Sequence, residues 1–166
     1  MERGLIGVIF KEVWMARNFC NNLSAVEFVY KFQNDASRLA QQVNVPTENI
    51  LGLAAEESQY GAGRIATTIN NYFSMHAPAP LQIGEEPAHG NPSVKVAKFN
   101  SFYQSGQSFI AIYGSSIRNL SDPAQFGKAL VRVNFNPGDA ARGGRTGFVE
   151  YLAEIIEVVK LRMGCR

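Results

Sequence analysis

Residues 24 to 61 constrain the fold most, because they encode two helices separated by almost nothing. Ser24-Ala25-Val26-Glu27 has the form of a capping box, a hydroxyl residue followed three positions later by Glu. Val26, Val29, Phe32, Ala36, Leu39, Ala40 and Val43 follow at helical spacing, which predicts a helix over about 25–42. Pro46 then closes a short connection. A second apolar run, Ile50, Leu51, Leu53, Ala54 and Ala55, is entered through Pro46, Thr47 and Glu48 and stopped by Gly61 and Gly63. Two helices joined so tightly must lie antiparallel, so the chain is organised around a helix pair.

The second helix ends in Glu56 and Glu57, an awkward place for acidic residues. The partial negative charge of a helix C-terminus disfavours a carboxylate, and a helix built for stability would carry Lys or Arg there. Successive residues point about 100° apart, so one of the two is pressed toward the apolar side. A carboxyl in such surroundings stays protonated to higher pH and can act as an acid. Glu is seldom fully buried, so a Glu-Glu pair is ordinarily two solvated residues. The residues that follow this pair argue otherwise.

Downstream, Arg64 to Phe73 reads as a short helix or turn ending at Asn70-Asn71. Leu81–Ile83 and Val94–Phe99 alternate apolar and polar residues and predict a hairpin, with Glu85 and Glu86 on its connecting loop. Another helix opens at Ser101 or Ser105 and runs over roughly 107–119. Asp122-Pro123 is a helix start, and Gly147 to Met163 is the last amphipathic helix. Asn136–Asp139 and Arg142–Arg145 read as loop, the arginines as solvated. The expected fold class is mainly α, with one small β element.

The 166 residues suit a single domain, 24–166, preceded by a leader over 1–23 that packs one helix onto the body. The composition, 46% hydrophobic and 18% charged, is globular. A net charge of +2 with no basic-aromatic cluster excludes nucleic acid as a partner but suits approach to a polyanionic wall. No run is long enough for a membrane span, and Leu5–Phe10 lacks a signal-peptide cleavage site. Cys20 and Cys165 could tie the two ends together or remain free thiols. Neither they nor His76 and His89 have metal-ligand spacing, so no metal or cofactor is expected. Gly61-Ala62-Gly63-Arg64-Ile65-Ala66 matches a dinucleotide-binding string but follows a helix rather than a strand, which excludes that reading.

Glu57-Ser58-Gln59-Tyr60-Gly61, then Arg64-Ile65-Ala66, then Asn70-Asn71-Tyr72-Phe73, resembles the signature of glycoside hydrolase family 73, the N-acetylglucosaminidases of bacterial peptidoglycan. A second block, Lys95–Phe99 with Tyr103, Ser105, Ser108 and Tyr113, resembles that family's post-hairpin strand and helix, in the right order. The resemblance covers about Phe28 to Ile156. It implies a lysozyme-like helical domain with one small β-hairpin lobe flanking a cleft, Glu57 as general acid, and Tyr60, Asn71, Tyr72 and Phe73 as substrate-binding residues. It makes Glu56 the solvated neighbour. Two departures stand out. Phe135, in Val133–Gly138, lacks the hydroxyl of the family's Tyr, and Ser74-Met75 replaces its Gly-Ile.

A glycosidic oxygen leaves only when protonated, which is the work of an acid such as Glu57. For the second catalytic group, Glu85 or Glu86 on the hairpin is the first candidate, and the substrate's own N-acetyl group is the alternative. The implied partners are a peptidoglycan glycan strand and an immunity protein occluding the cleft. The reading is of an antibacterial toxin that is secreted without a classical signal peptide, by a type VI system, and acts in a target's periplasm or cell wall. A lytic transglycosylase, a phage endolysin and a non-catalytic wall-binding or inhibitor-binding module are the alternatives.

Overall fold

The computed structural model describes residues 18–165, so most of the expected leader lies outside the described residues. Six α-helices lie wholly within the described residues: α1 (Leu23–Val43), α2 (Thr47–Ser58), α3 (Arg64–Ile69), α4 (Phe102–Ile117), α5 (Pro123–Arg132) and α6 (Phe148–Met163). Between α3 and α4 lie two antiparallel strands, β1 (Gly84–Ala88) and β2 (Asn91–Lys98). The mainly helical fold with a hairpin lobe is the one expected.

Helix α2 is the centre of the body. It packs on α1 and α6, and eight of its residues, including Ile50, Leu51, Leu53, Ala54 and Ala55, are buried. Burial on nearly every side explains why its sequence shows no clear polar stripe until Glu56. Gly52 permits the close crossing with α6, since a Cβ there would stand 2.6 Å from Ile156 Cγ1. Gly106 does the same where α4 meets Leu39 of α1. Phe28 and Phe32 of α1, Tyr72 and Phe102 form an aromatic cluster beside this contact.

Several local expectations shift. Helix α1 is capped by Asn22, whose side chain accepts from the Ala25 N–H at 3.2 Å, so the cap lies two residues before Ser24. Helix α4 is capped by Ser101 and starts well before residue 107. The hairpin is also displaced: Glu85 and Glu86 stand within β1, opposite Ala97 and Val96, and not on a connecting loop. The turn falls instead at His89-Gly90, where Gly90 supplies a φ of +86°. Pro87 is tolerated because β1 is an edge strand. Cys20 and Cys165 form a disulfide with Cα atoms 5.6 Å apart, which ties Asn18–Cys20 to the end of α6.

Candidate active site

Glu57 reaches a cleft through the way α2 ends. The Ser58 hydroxyl, buried, donates to the Ala54 carbonyl at 2.5 Å and accepts from the Gly61 N–H at 2.9 Å. Gln59 and Tyr60 both take left-handed conformations, with φ of +52°, and Gly61 follows at +77°. A Cβ on Gly61 would press on Phe28 at 3.1 Å and be strained at this φ, so glycine suits the turn where a side chain would not. The Glu-Ser-x-x-Gly spacing is therefore a helix-ending device, and it leaves Glu57 at the rim of the core.

The cleft has a volume of about 600 Å³. One wall is Ser74–Pro78, another Ile112 and Tyr113 of α4, and a third the loop after α5, with Asn134–Pro137, Arg142 and Gly143. Among the described residues, Glu57 is the one carboxylate lining it. Burial pushes its carboxyl well above the usual carboxylate range, and hydrogen bonding with Glu56 and that residue's negative charge add to the effect. Ser74 and Arg145 pull the other way. Ser74 also donates to the Glu57 carbonyl at 3.3 Å.

Glu56 is not the solvated neighbour expected. Its side chain is 6% exposed and pairs with Arg145 Nε at 3.3 Å. The loop over 134–147 is organised by its own hydrogen bonds, although the side chains of Arg142 and Arg145 stay exposed as expected. Asn136 Oδ1 accepts from the N–H groups of Gly138 and Arg145, Asp139 caps a short 3₁₀ turn at Ala140–Arg142, and Arg142 donates to the Pro137 carbonyl at 3.1 Å.

The other anticipated residues do not line the cleft. Asn71 is fully buried and works as a clamp: its Nδ2 donates to the carbonyls of Met75 and Ala97, both at 2.9 Å, and its Oδ1 accepts from the Met75 N–H. Phe73 is also fully buried and stacks on Phe109, with ring centroids 5.2 Å apart. Tyr72, 7% exposed, belongs to the aromatic cluster. The Tyr60 hydroxyl accepts from Arg162 at 2.6 Å, directing this ring toward α6.

Glu85 and Glu86 are separated from the cleft by β2. One edge of β2 bonds the cleft wall, through Ala97 N–H to Met75 O and Ala77 N–H to Lys95 O, and the other edge bonds β1. Glu85 is exposed, and Glu86 pairs with Arg64 at 3.7 Å. Tyr113, by contrast, lines the cleft and meets Phe135 edge-on at 5.1 Å. Sequence periodicity could only mark Tyr113 as an apolar position of α4.

The fold is that of the peptidoglycan hydrolases. A peptidoglycan hydrolase from Sphingomonas sp. A1 superposes with a TM-score of 0.67 at 19% identity, over 83% of this chain and 92% of that one. A glycoside hydrolase domain of Salmonella typhimurium FlgJ gives 0.56 at 20%, over 82% and 97%. A chain from a type VI secretion system effector-immunity complex of Pseudomonas protegens is 54% identical over 89% of this chain and 99% of that one, with a TM-score of 0.81. The present chain belongs to the family of that type VI secretion protein, which bears out the resemblance to glycoside hydrolase family 73. No protein-family model and no curated protein matches the sequence.

Proposed function

We propose that this protein is a peptidoglycan hydrolase, an N-acetylglucosaminidase cleaving a β-1,4 glycan bond, with Glu57 as the general acid. One observation carries the reading: a carboxyl whose proton affinity burial raises well above the usual carboxylate range opens into a cleft whose other walls are aromatic and polar. Protonation of the glycosidic oxygen by Glu57 releases the leaving sugar. For the second group, the positions of Glu85 and Glu86 behind β2 favour the alternative in which the substrate's N-acetyl oxygen attacks the anomeric carbon. Water then opens the cyclic intermediate, giving its proton to the Glu57 carboxylate. Tyr113 and Phe135 offer apolar faces to a sugar ring, and the Tyr113 hydroxyl is available where Phe135 has none.

The family tie to a type VI effector-immunity complex supports delivery into a rival cell and an immunity protein as partner. A disulfide suits an oxidising compartment such as the periplasm. Among the described residues no helix is long and apolar enough to cross a membrane.

Mass spectrometry of digested sacculi tests the reading. Reducing N-acetylglucosamine ends are expected from the wild type and none from Glu57→Gln. Anhydro-muramyl ends would instead identify a lytic transglycosylase, and equal lysis by both proteins would remove Glu57 from the chemistry.

A further inference from the structure

The ion pair between Glu56 and Arg145 has no place in the reaction as described, yet it touches everything that matters to it. Glu56 adjoins Glu57 on the last turn of α2, and its side chain is almost wholly enclosed. Enclosed carboxylates persist when a cation compensates them, and here the cation comes from another element. Arg145 lies 3.3 Å from Glu56 and 4.0 Å over the ring of Tyr151 on α6. Its own N–H donates to Asn136 Oδ1 at 3.1 Å, and Asn136 lines the cleft. The arginine thus joins three things: the helix carrying Glu57, helix α6, and the cleft wall over 134–137.

We propose that Glu56 and Arg145 form a positioning pair that tunes the charge state of Glu57 on top of its burial, and thereby the alkaline edge of the enzyme's working pH range. The proposal rests on Glu57 being the acid. A negative charge fixed beside an acid makes loss of the acid's proton harder, while the more distant cation tempers that effect. Without Arg145, the negative charge of Glu56 would act on Glu57 untempered. Without Glu56, the acid would lose its proton at lower pH. The remaining titratable groups around Glu57 come from every surrounding element: His76 from the segment before β1, Tyr113 from α4, Arg142 from the loop, and Tyr151 of α6 beneath Arg145. Of the charged groups, Glu56 and Arg145 are the two that act on Glu57.

The test is the pH profile of kcat on purified peptidoglycan for Glu56→Gln, Arg145→Gln and Arg145→Lys, with carboxyl-carbon NMR titration of Glu57 in the same full-length proteins. Glu56→Gln is expected to move the alkaline limb to lower pH, with several-fold loss above the limb and little loss below it. Arg145→Gln is expected to move it to higher pH, and Arg145→Lys to restore it. The Glu57 NMR midpoint should move in the same sense in each. Uniform loss at all pH values, with limb and midpoint unmoved, would reduce the pair to a structural tie and overturn the proposal. Midpoints that move as stated in a protein whose Glu57→Gln variant is still active would overturn the pair's control of the working pH range through the loss of Glu57 as the acid, and leave only its effect on the Glu57 carboxyl.

Discussion

The chain contains two Glu-Glu pairs, Glu56-Glu57 and Glu85-Glu86, and as letters they are interchangeable. The structure makes them opposites. The first ends a helix whose preceding residues, Leu53, Ala54 and Ala55, are buried, so neither carboxylate escapes into water freely. One opens into the cleft, and the other is enclosed with Arg145. The second pair lies on an edge strand, one residue exposed and the other in a half-exposed contact with Arg64. What separates an enclosed carboxyl from solvated charge is the neighbouring element: a packed helix end for one pair, the rim of a hairpin for the other.

The contrast is tested most strongly by activity. Glu57→Gln keeps the shape of the side chain and removes its proton, so turnover on purified sacculi should fall by roughly 10²–10⁴, the usual worth of a general acid. The double variant Glu85→Gln/Glu86→Gln should stay within about twofold of wild type, since neither residue lines the cleft. A loss with the double variant comparable to that of Glu57→Gln would collapse the distinction and return the second carboxylate to the hairpin.

Much of this was legible in the letters, and the failures have physical causes. The α1–α2 pair was readable because Pro46 and the apolar spacing leave few alternatives. Glu57 was singled out by a motif, Ser58 and Gly61 included, whose local work is to end the helix at the cleft rim. Asn71, Tyr72 and Phe73 form an equally distinctive string, but a motif marks necessity without saying whether the need is for contact or for support. The role of Glu56 could not be read at all, because Arg145 lies 89 positions away and reaches it only through tertiary structure. Tyr113 fell within the second matching block, but its place in the cleft could not be read, since an apolar helix position facing a core and one facing a cleft obey the same period.

The support role of Asn71 gives the next largest effect. Asn71→Ala orphans the Met75 N–H and removes the side-chain donor to Met75 O and Ala97 O, all buried, which should cost about 1–3 kcal/mol in urea unfolding. Because those bonds pin the Met75 wall and β2 to the body, activity should fall as well, and kcat more than KM. If stability held while KM alone rose, Asn71 would be a substrate contact after all.

A subtler expectation concerns stability against pH. Glu57 carries a raised carboxyl in the folded state, so between the unfolded value and the raised one the native protein binds more protons than the unfolded chain. Stability from this group is complete at acid pH and is lost as pH rises through the raised value. Glu57→Gln, which cannot ionise, should therefore gain midpoint stability over wild type at neutral and alkaline pH. That gain should shrink toward zero below the ordinary carboxylate range. A gain that did not change with pH would place the inner pair in the same solvated class as the outer one.

The smallest effect lies with the outer pair itself. Arg64 and Glu86 are each 41% exposed, and their contact of 3.7 Å connects α3 to the hairpin. Solvent screening limits such a pair, so a double-mutant cycle with Arg64→Gln and Glu86→Gln should give a coupling below about 1 kcal/mol. The coupling should fall further in about 1 M salt, where the Debye length is close to 3 Å. The Arg64 guanidinium also donates to the Pro87 carbonyl at 3.3 Å, so Arg64→Gln alone should cost slightly more than Glu86→Gln alone. A salt-resistant coupling above 2 kcal/mol would show that β1 is held to α3 by charge.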